Sequence, residues 1–208
     1  RDWDIVAMTS GDFDGDNKDE LIITTTDHCN VTRIFIKKNG IRKKFLLIYQ
    51  SQEWSVVDII SGDFDGDGDD ELVTAFRNAK SDAIYLNENA KNPASQRVYS
   101  TNYWKVGSLA SGDFDGDGDD ELVTGFNSKE GGALYLSEDA FSPSSLCIYE
   151  ADPELQITHL HSGDFQGSLK RSLTNVVRGA AFDSTDFITF STDLISIFPN
   201  PSKGEFKI

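Results

Sequence analysis

The sequence predicts an all-β chain, a β-propeller of four-stranded blades, on three observations. The stretch Ser61–Leu72, S-G-D-F-D-G-D-G-D-D-E-L, recurs letter for letter at Ser111–Leu122, with changes at Ser10–Leu21 and in decayed form at Ser162–Leu173. Its opening serines, Ser10, Ser61, Ser111 and Ser162, fall every 50 or 51 residues, a period of propellers and solenoids. Each of the first three units also holds four short segments rich in β-branched and aromatic residues, the composition of strands, and the last unit holds three.

The segments align unit by unit. An opening strand begins at Trp3-Asp4-Ile5, Trp54-Ser55-Val56, Trp104-Lys105-Val106 and Leu155-Gln156-Ile157. After the acidic stretch comes a second, at Leu21-Ile22-Ile23, Leu72-Val73-Thr74, Leu122-Val123-Thr124 and Leu173-Thr174-Asn175. A third lies at Arg33–Ile36, Ala83–Leu86, Ala133–Leu136 and Phe187–Phe190, and a fourth ends in Tyr49, Tyr99 or Tyr149. Four short strands in about fifty residues describe one blade. The expected units are 1–51, 52–101 and 102–152, then a degenerate and incomplete blade over 153–193, with 194–208 as linker and tail. Pro199 and Pro201 cannot feed a strand ladder, so the last unit is expected to lack its outer strand. Only Arg1 and Asp2 precede Trp3, too little to donate one. The expectation is therefore a part of a larger ring, since exposed blade edges invite misassociation, with a closed four-bladed ring as the alternative.

The acidic stretches carry the chemistry. Asp12, Asp14, Asp16 and Glu20 form the first set, Asp63, Asp65, Asp67 and Glu71 the second, Asp113, Asp115, Asp117 and Glu121 the third. Carboxylates so crowded repel one another unless a cation sits among them, and an all-oxygen set selects a hard ion. Calcium, with six to eight oxygens at roughly 2.3–2.6 Å, is the natural occupant of three sites. The backbone carbonyls of Lys18, Asp69 and Asp119 are expected to add a ligand each. Gly15, Gly66 and Gly116 follow the second acid, and Asn17, Gly68 and Gly118 sit at the next tight point, where positive φ is easiest for Gly or Asn. An EF-hand loop also opens D-x-D-x-D-G but needs a bidentate Glu at its twelfth position. Here Ile23, Thr74 and Thr124 stand there, and the flanks read as strands rather than helices. In the fourth copy the ligand positions hold Asp164, Gln166, Ser168 and Ser172 beside Lys170 and Arg171, so that loop is expected to keep its turn without an ion.

Composition bounds the rest. The 208 residues carry a formal net charge of −16, most of the acid lying in these loops. Such a surface argues against nucleic acid, whose phosphates need a basic stripe. No apolar run approaches a membrane span. The chain opens at Arg1 without a signal peptide, as expected of a mature or excised piece. Cys29 and Cys147 fall at different phases of non-neighbouring units, so a disulfide between them is not expected. Trp3, Trp54 and Trp104 share one phase, which fits packing between blades better than stacking on sugars. His159 and His161 alternate on one strand face but lack an evident third ligand for zinc. No carboxylate pair is left over for a glycosidase, and no phosphate loop or nucleophile elbow is present; no catalytic residue is assigned.

The G-D-F-D-G-D-G-D-D-E-L loops between strands, at this period, resemble the FG-GAP/VCBS repeats of calcium-binding β-propellers over residues 1 to about 193. The resemblance implies that side chains at the first, third, fifth and ninth loop positions hold calcium, which maps onto the three sets above, with Glu where the family more often has Asp. It further implies a secreted, non-catalytic binding or adhesion module for glycans or surface proteins. The alternative is part of a propeller-fold polysaccharide lyase or glycoside hydrolase whose active site lies in blades not present. The tail, Ile197-Phe198-Pro199-Asn200-Pro201-Ser202-Lys203-Gly204-Glu205-Phe206, resembles the opening of the C-terminal sorting domain of type IX secretion substrates in Bacteroidota. That resemblance implies the type IX machinery as a partner and an extracellular or cell-surface location.

Overall fold

The computed structural model describes residues 3–38, 44–141, 145–150, 155–163, 172–179, 186–191 and 194–198, with side chains described as far as Ser162. Blade 1 comprises β1 (Trp3–Gly11), β2 (Glu20–Asp27), β3 (Thr32–Lys37) and β4 (Leu46–Ser51). Blade 2 comprises β5 (Ser55–Gly62), β6 (Glu71–Arg77), β7 (Asp82–Asn87) and β8 (Gln96–Thr101). Blade 3 holds β9 (Lys105–Gly112), β10 (Glu121–Ser128), β11 (Gly131–Ser137) and β12 (Ser145–Glu150). Blade 4 holds β13 (Leu155–Gly163), β14 (Ser172–Gly179), β15 (Asp186–Ser191) and β16 (Leu194–Phe198). Each blade is an antiparallel meander in sequence order, and the first strands β1, β5, β9 and β13 pack side by side. Among the described residues no helix is long and apolar enough to cross a membrane.

The last blade departs from expectation. Leu194–Phe198 is not linker: it pairs with β15, Ser191 opposite Leu194 and Phe187 opposite Phe198, and completes a four-stranded sheet. The physical reason lies in Leu-Ile-Ser-Ile-Phe, whose apolar and β-branched residues form a strand that ends just before Pro199. Residues 199–208, the greater part of the tail motif, lie outside the described residues.

A bulge recurs in every first strand. The pairing skips one residue at Val6, Val57, Gly107 and Thr158, and such a bulge bends a strand and increases its twist. In blade 1 the freed backbone is satisfied locally, since the Thr24 hydroxyl accepts from Ala7 N–H at 2.9 Å and donates to the Ala7 carbonyl at 3.0 Å.

The cores lie between blades rather than within them. Phe13, Ile22 and Ile34 of blade 1 pack on Val56, Ile59 and Phe76 of blade 2. Val73 and Leu86 of blade 2 pack on Leu109 and Phe126 of blade 3, and Val123 and Leu134 of blade 3 on Ile157 and Leu160 of blade 4. The tyrosine ending each fourth strand explains its constant phase: Tyr49 reaches Phe76 of the next blade at 5.0 Å, and Tyr99 reaches Phe126 at 5.1 Å. Trp54 and Trp104 close on the same phenylalanines at 6.5 Å, so both tryptophans pack at blade interfaces. Cys29 and Cys147 are exposed and unbridged.

Blade 1 shows the same interface uncovered. Ile59 is 2% exposed against blade 1, whereas Met8, its counterpart one unit earlier, is 57% exposed together with Ile5 and Trp3. Thr25 replaces the interface phenylalanine, and Trp3 stacks instead on Phe35 at 5.8 Å with Arg33 over its ring. The two positions therefore differ in what truncation removes. Ile59→Ala is expected to cost about 2–5 kcal/mol by opening a cavity, whereas Met8→Ala stays within about 0.5 kcal/mol. Urea unfolding of the two variants measures the contrast, and equal losses would contradict the assignment of interfaces.

Candidate metal centres at the blade loops

Each acidic stretch connects the first strand of a blade to the second. Phe13, Phe64 and Phe114 are buried at its base, anchoring the loop in the core. The backbone then turns through positive φ at Gly15, Gly66 and Gly116, and again at Asn17, Gly68 and Gly118. The sequence places Gly or Asn at all six, the residues that adopt this conformation at least cost. Side chains hold the curl. Asp12 accepts from the N–H of Asp16 at 3.1 Å and of Asn17 at 2.6 Å; Asp63 accepts from Gly68 N–H at 3.0 Å, and Asp113 from Gly116 N–H.

Carboxylates converge inside the curl. Asp12, Asp14 and Glu20 each present an oxygen within 4.8 Å of the others, as do Asp63, Asp65 and Glu71, and Asp113, Asp115 and Glu121. The glutamates sit deepest, with 0%, 2% and 3% of their surface exposed. Glu71 accepts from Phe64 N–H at 2.8 Å and Glu121 from Phe114 N–H at 2.6 Å. Burial, reinforced by the neighbouring aspartates and only partly offset by that hydrogen bond, pushes Glu71 up to about 8 and Glu121 up to about 7. Asp63 Oδ1 is buried and accepts no hydrogen bond from the described residues. An all-oxygen cluster with an orphaned buried oxygen and glutamates that resist ionising alone fits a divalent cation.

The fifth-position aspartates are not among the converging oxygens. Asp67 and Asp117 turn an oxygen to the N–H of Asp69 at 2.9 Å and of Asp119 at 3.1 Å, outside the triads. Asp16 lies 3.4 Å from Lys18 Nζ. Loop 1 differs further in that Lys38 Nζ sits 2.7 Å from Asp14, a cation already among its acids. In the fourth copy Asp164, Gln166 and Ser168 lie outside the described residues, as does the side chain of Ser172.

A second role of the loops was not read from the sequence. Asp70 grips the preceding loop at both ends of its first ligand residue: its carboxylate accepts from Asp12 N–H at 2.7 Å and its own N–H donates to the Asp12 carbonyl at 2.8 Å. Asp120 N–H donates to the Asp63 carbonyl at 2.7 Å. Serines add to the latch, Ser61 donating to the Ser10 carbonyl at 2.7 Å and Ser111 to the Ser61 carbonyl at 2.6 Å. A Cβ at Gly11 or Gly62 would strike Asp70 or Asp120 at 2.6 Å, which is why Gly precedes the first ligand. Asp69 and Asp119 lie against Gly15 and Gly66 of the preceding loops. Burial and the acids on both sides raise the pKa of each. An Asp precedes each Glu, at Asp19, Asp70 and Asp120, but nothing local in the sequence marks it as a latch.

The FG-GAP-like repeat family matches residues 63–124, from the second acidic loop through the third. No curated protein matches the chain. An exotype rhamnogalacturonan lyase, YesX, is similar in structure at 9% identity and a TM-score of 0.48, over 91% of this chain and 54% of its own. The Dos1 propeller is similar at 15% identity and a TM-score of 0.48, over 94% of this chain and 48% of its own. The chain thus spans about half the length of each.

The raised glutamates make a signed prediction for metal-free protein. Glu71 titrates at about 8 when folded, against an ordinary value of 4.5, so the folded state holds more protons than the unfolded across that interval. Linkage then makes metal-free protein lose stability as pH rises from about 4.5 to about 8. Urea midpoints in chelator should fall between about pH 5 and about pH 8; a rising midpoint would contradict the burial of these carboxylates.

Proposed function

We propose that the chain is part of a secreted, calcium-stabilised β-propeller that binds rather than catalyses, serving as an adhesion or recognition module for glycans or surface proteins. The observation that carries the calcium reading is the buried glutamate of each loop, held with two aspartates in a pocket made only of oxygen donors. Loops of this kind offer a flexible cage and suit calcium better than magnesium, which demands near-ideal octahedral geometry. The loops are also the latches between blades, so an ion in one stiffens an interface as well as a turn. The clustered acids are thereby committed to holding the fold, and the opposite end of the blades is left for a ligand.

The uncovered face of Trp3, Ile5 and Met8 supports a further blade upstream, because the counterparts of Ile5 and Met8 in units 2 and 3, Val56, Ile59, Val106 and Leu109, are buried, and Trp54 and Trp104, the counterparts of Trp3, are partly buried. Within a longer parent protein Trp3 is expected to be shielded from acrylamide quenching that reaches it in residues 1–208; equal quenching in both would remove this part of the reading. Export by the type IX route rests on Ile197–Phe206 and stands or falls with finding the protein outside the outer membrane.

Calcium is tested by heat. An ion that binds only the folded state adds about 2.7 kcal/mol at a hundredfold excess over its Kd. Chelator should therefore lower Tm and calcium restore it, with calorimetry counting three ions. Glu71→Gln keeps an acceptor for Phe64 N–H but removes the buried charge. It should leave metal-free stability unchanged or higher while one ion is lost. Identical melting curves with chelator and with calcium would sink the proposal.

A further inference from the structure

The meander topology sends the first-to-second connections, with their acids, to one end of the blades. The second-to-third turns and the links between blades go to the other. At that second end a cleft of about 500 Å³ opens between blades 2, 3 and 4. Three cations line it, Arg77, Lys105 and Lys129, and among the described residues no carboxylate does, in a chain of net charge −16. The acid nearest these cations is spent. Asp82 is fully buried behind them, accepting from Arg77 Nη2 at 2.7 Å, Lys105 Nζ at 3.2 Å and Val106 N–H at 2.8 Å. Arg77 Nη2 also donates to the Val106 carbonyl at 2.7 Å. The guanidinium is thus fixed in place while its side chain stays partly open to solvent, as a preorganised anion-binding group must be.

The acidic loops do not cancel this field. Lys105 and Gly112 are the two ends of β9, which at 3.3 Å per residue sets them roughly 23 Å apart, beyond the Debye length of about 8 Å in physiological salt. Beside the cations the wall carries neutral polar groups, Ser128, Gln156 and Thr158, and the Tyr103 ring, which is 56% exposed. Tyr103 and Trp104 meet in a T-shaped contact at 5.6 Å, and the Tyr103 hydroxyl bonds Glu130 at the rim. A flat aromatic face, amide and hydroxyl groups and clustered cations match a sugar that bears a carboxylate: the ring stacks on Tyr103, hydroxyls meet the polar wall, and the carboxylate meets Arg77, Lys105 and Lys129. Glu130 sets the polarity, turning the carboxylate away from Tyr103 and toward the cations. We propose that this cleft binds a uronate-bearing oligosaccharide. The inference rests on the binding reading above and names the ligand class.

The test is calorimetric titration of the calcium-loaded chain with tetramannuronate and with its methyl ester, which keeps the shape and removes the charge. The acid form should bind, at least tenfold more tightly than the ester, and more weakly as sodium chloride is raised. Lys129→Ala, in an exposed hairpin, and Tyr103→Ala should each lower affinity at least threefold with an unchanged circular dichroism spectrum. Binding of acid and ester alike would overturn the anionic site while leaving a glycan-binding module standing. Equal binding of polyglutamate or of inorganic phosphate would show charge recognition without a sugar site and overturn the proposal. Binding untouched by both variants would place the site elsewhere. No binding of tetramannuronate at saturating concentration would likewise overturn it.

Discussion

A buried glutamate at the foot of each acidic loop is the constraint on which the described blades depend. Glu71 and Glu121 accept the N–H of the phenylalanine that plugs the loop into the core, so the acid, the plug and the turn form one unit. Placing a carboxylate there is unfavourable by itself, as its raised pKa records. A compensating cation would convert that cost into a fastening, and the position of the loop decides what would be fastened. Because Asp70 and Asp120 reach from each loop to the one before, local loop chemistry becomes a property of the array.

Blade packing repeats the same logic with apolar groups. A tyrosine from one blade and a tryptophan from the next close on one phenylalanine, in tilted and edge-on arrangements that aromatic rings favour. Where blade 1 lacks a predecessor within residues 1–208, the phenylalanine is Thr25 and Trp3 lies on Phe35 instead. Interface side chains without an interface thus turn to their own sheet. Stability in such an array is close to a sum of blade and nearest-neighbour terms, which is why equivalent substitutions differ so much between Met8 and Ile59.

What could be read from the sequence was whatever repeats locally. The period, the strand segments, the Gly and Asn turns and the convergence of Asp12, Asp14 and Glu20 with their counterparts all follow from residues close in the chain. The fourth strand of the last blade is obscured in the sequence by Pro199 and Pro201, although the composition of Leu194–Phe198 spells a strand. The latch made by Asp70 was not legible: its partner Asp12 lies in another repeat, and only the stacking of blades brings them together. The fifth-position aspartates looked equivalent to the other acids by spacing. In three dimensions Asp67 and Asp117 cap backbone N–H groups and stand outside the triads.

The two ends of the blades divide the electrostatic work. Acids collected in the second and third of these loops would be neutralised there by bound ions rather than by lysines and arginines, of which the chain has only 19 against 35 acids. That frees cations for the opposite end, where Asp82 arranges Arg77 and Lys105 and is itself sealed from solvent. Gathering the acid at one end, where ions would meet it, and a group of cations in a cleft at the other requires no excess of basic residues, only an alternation of turns that antiparallel meanders enforce. An acidic protein can in this way keep a cationic cleft, and strand length, through screening, keeps the two fields from cancelling.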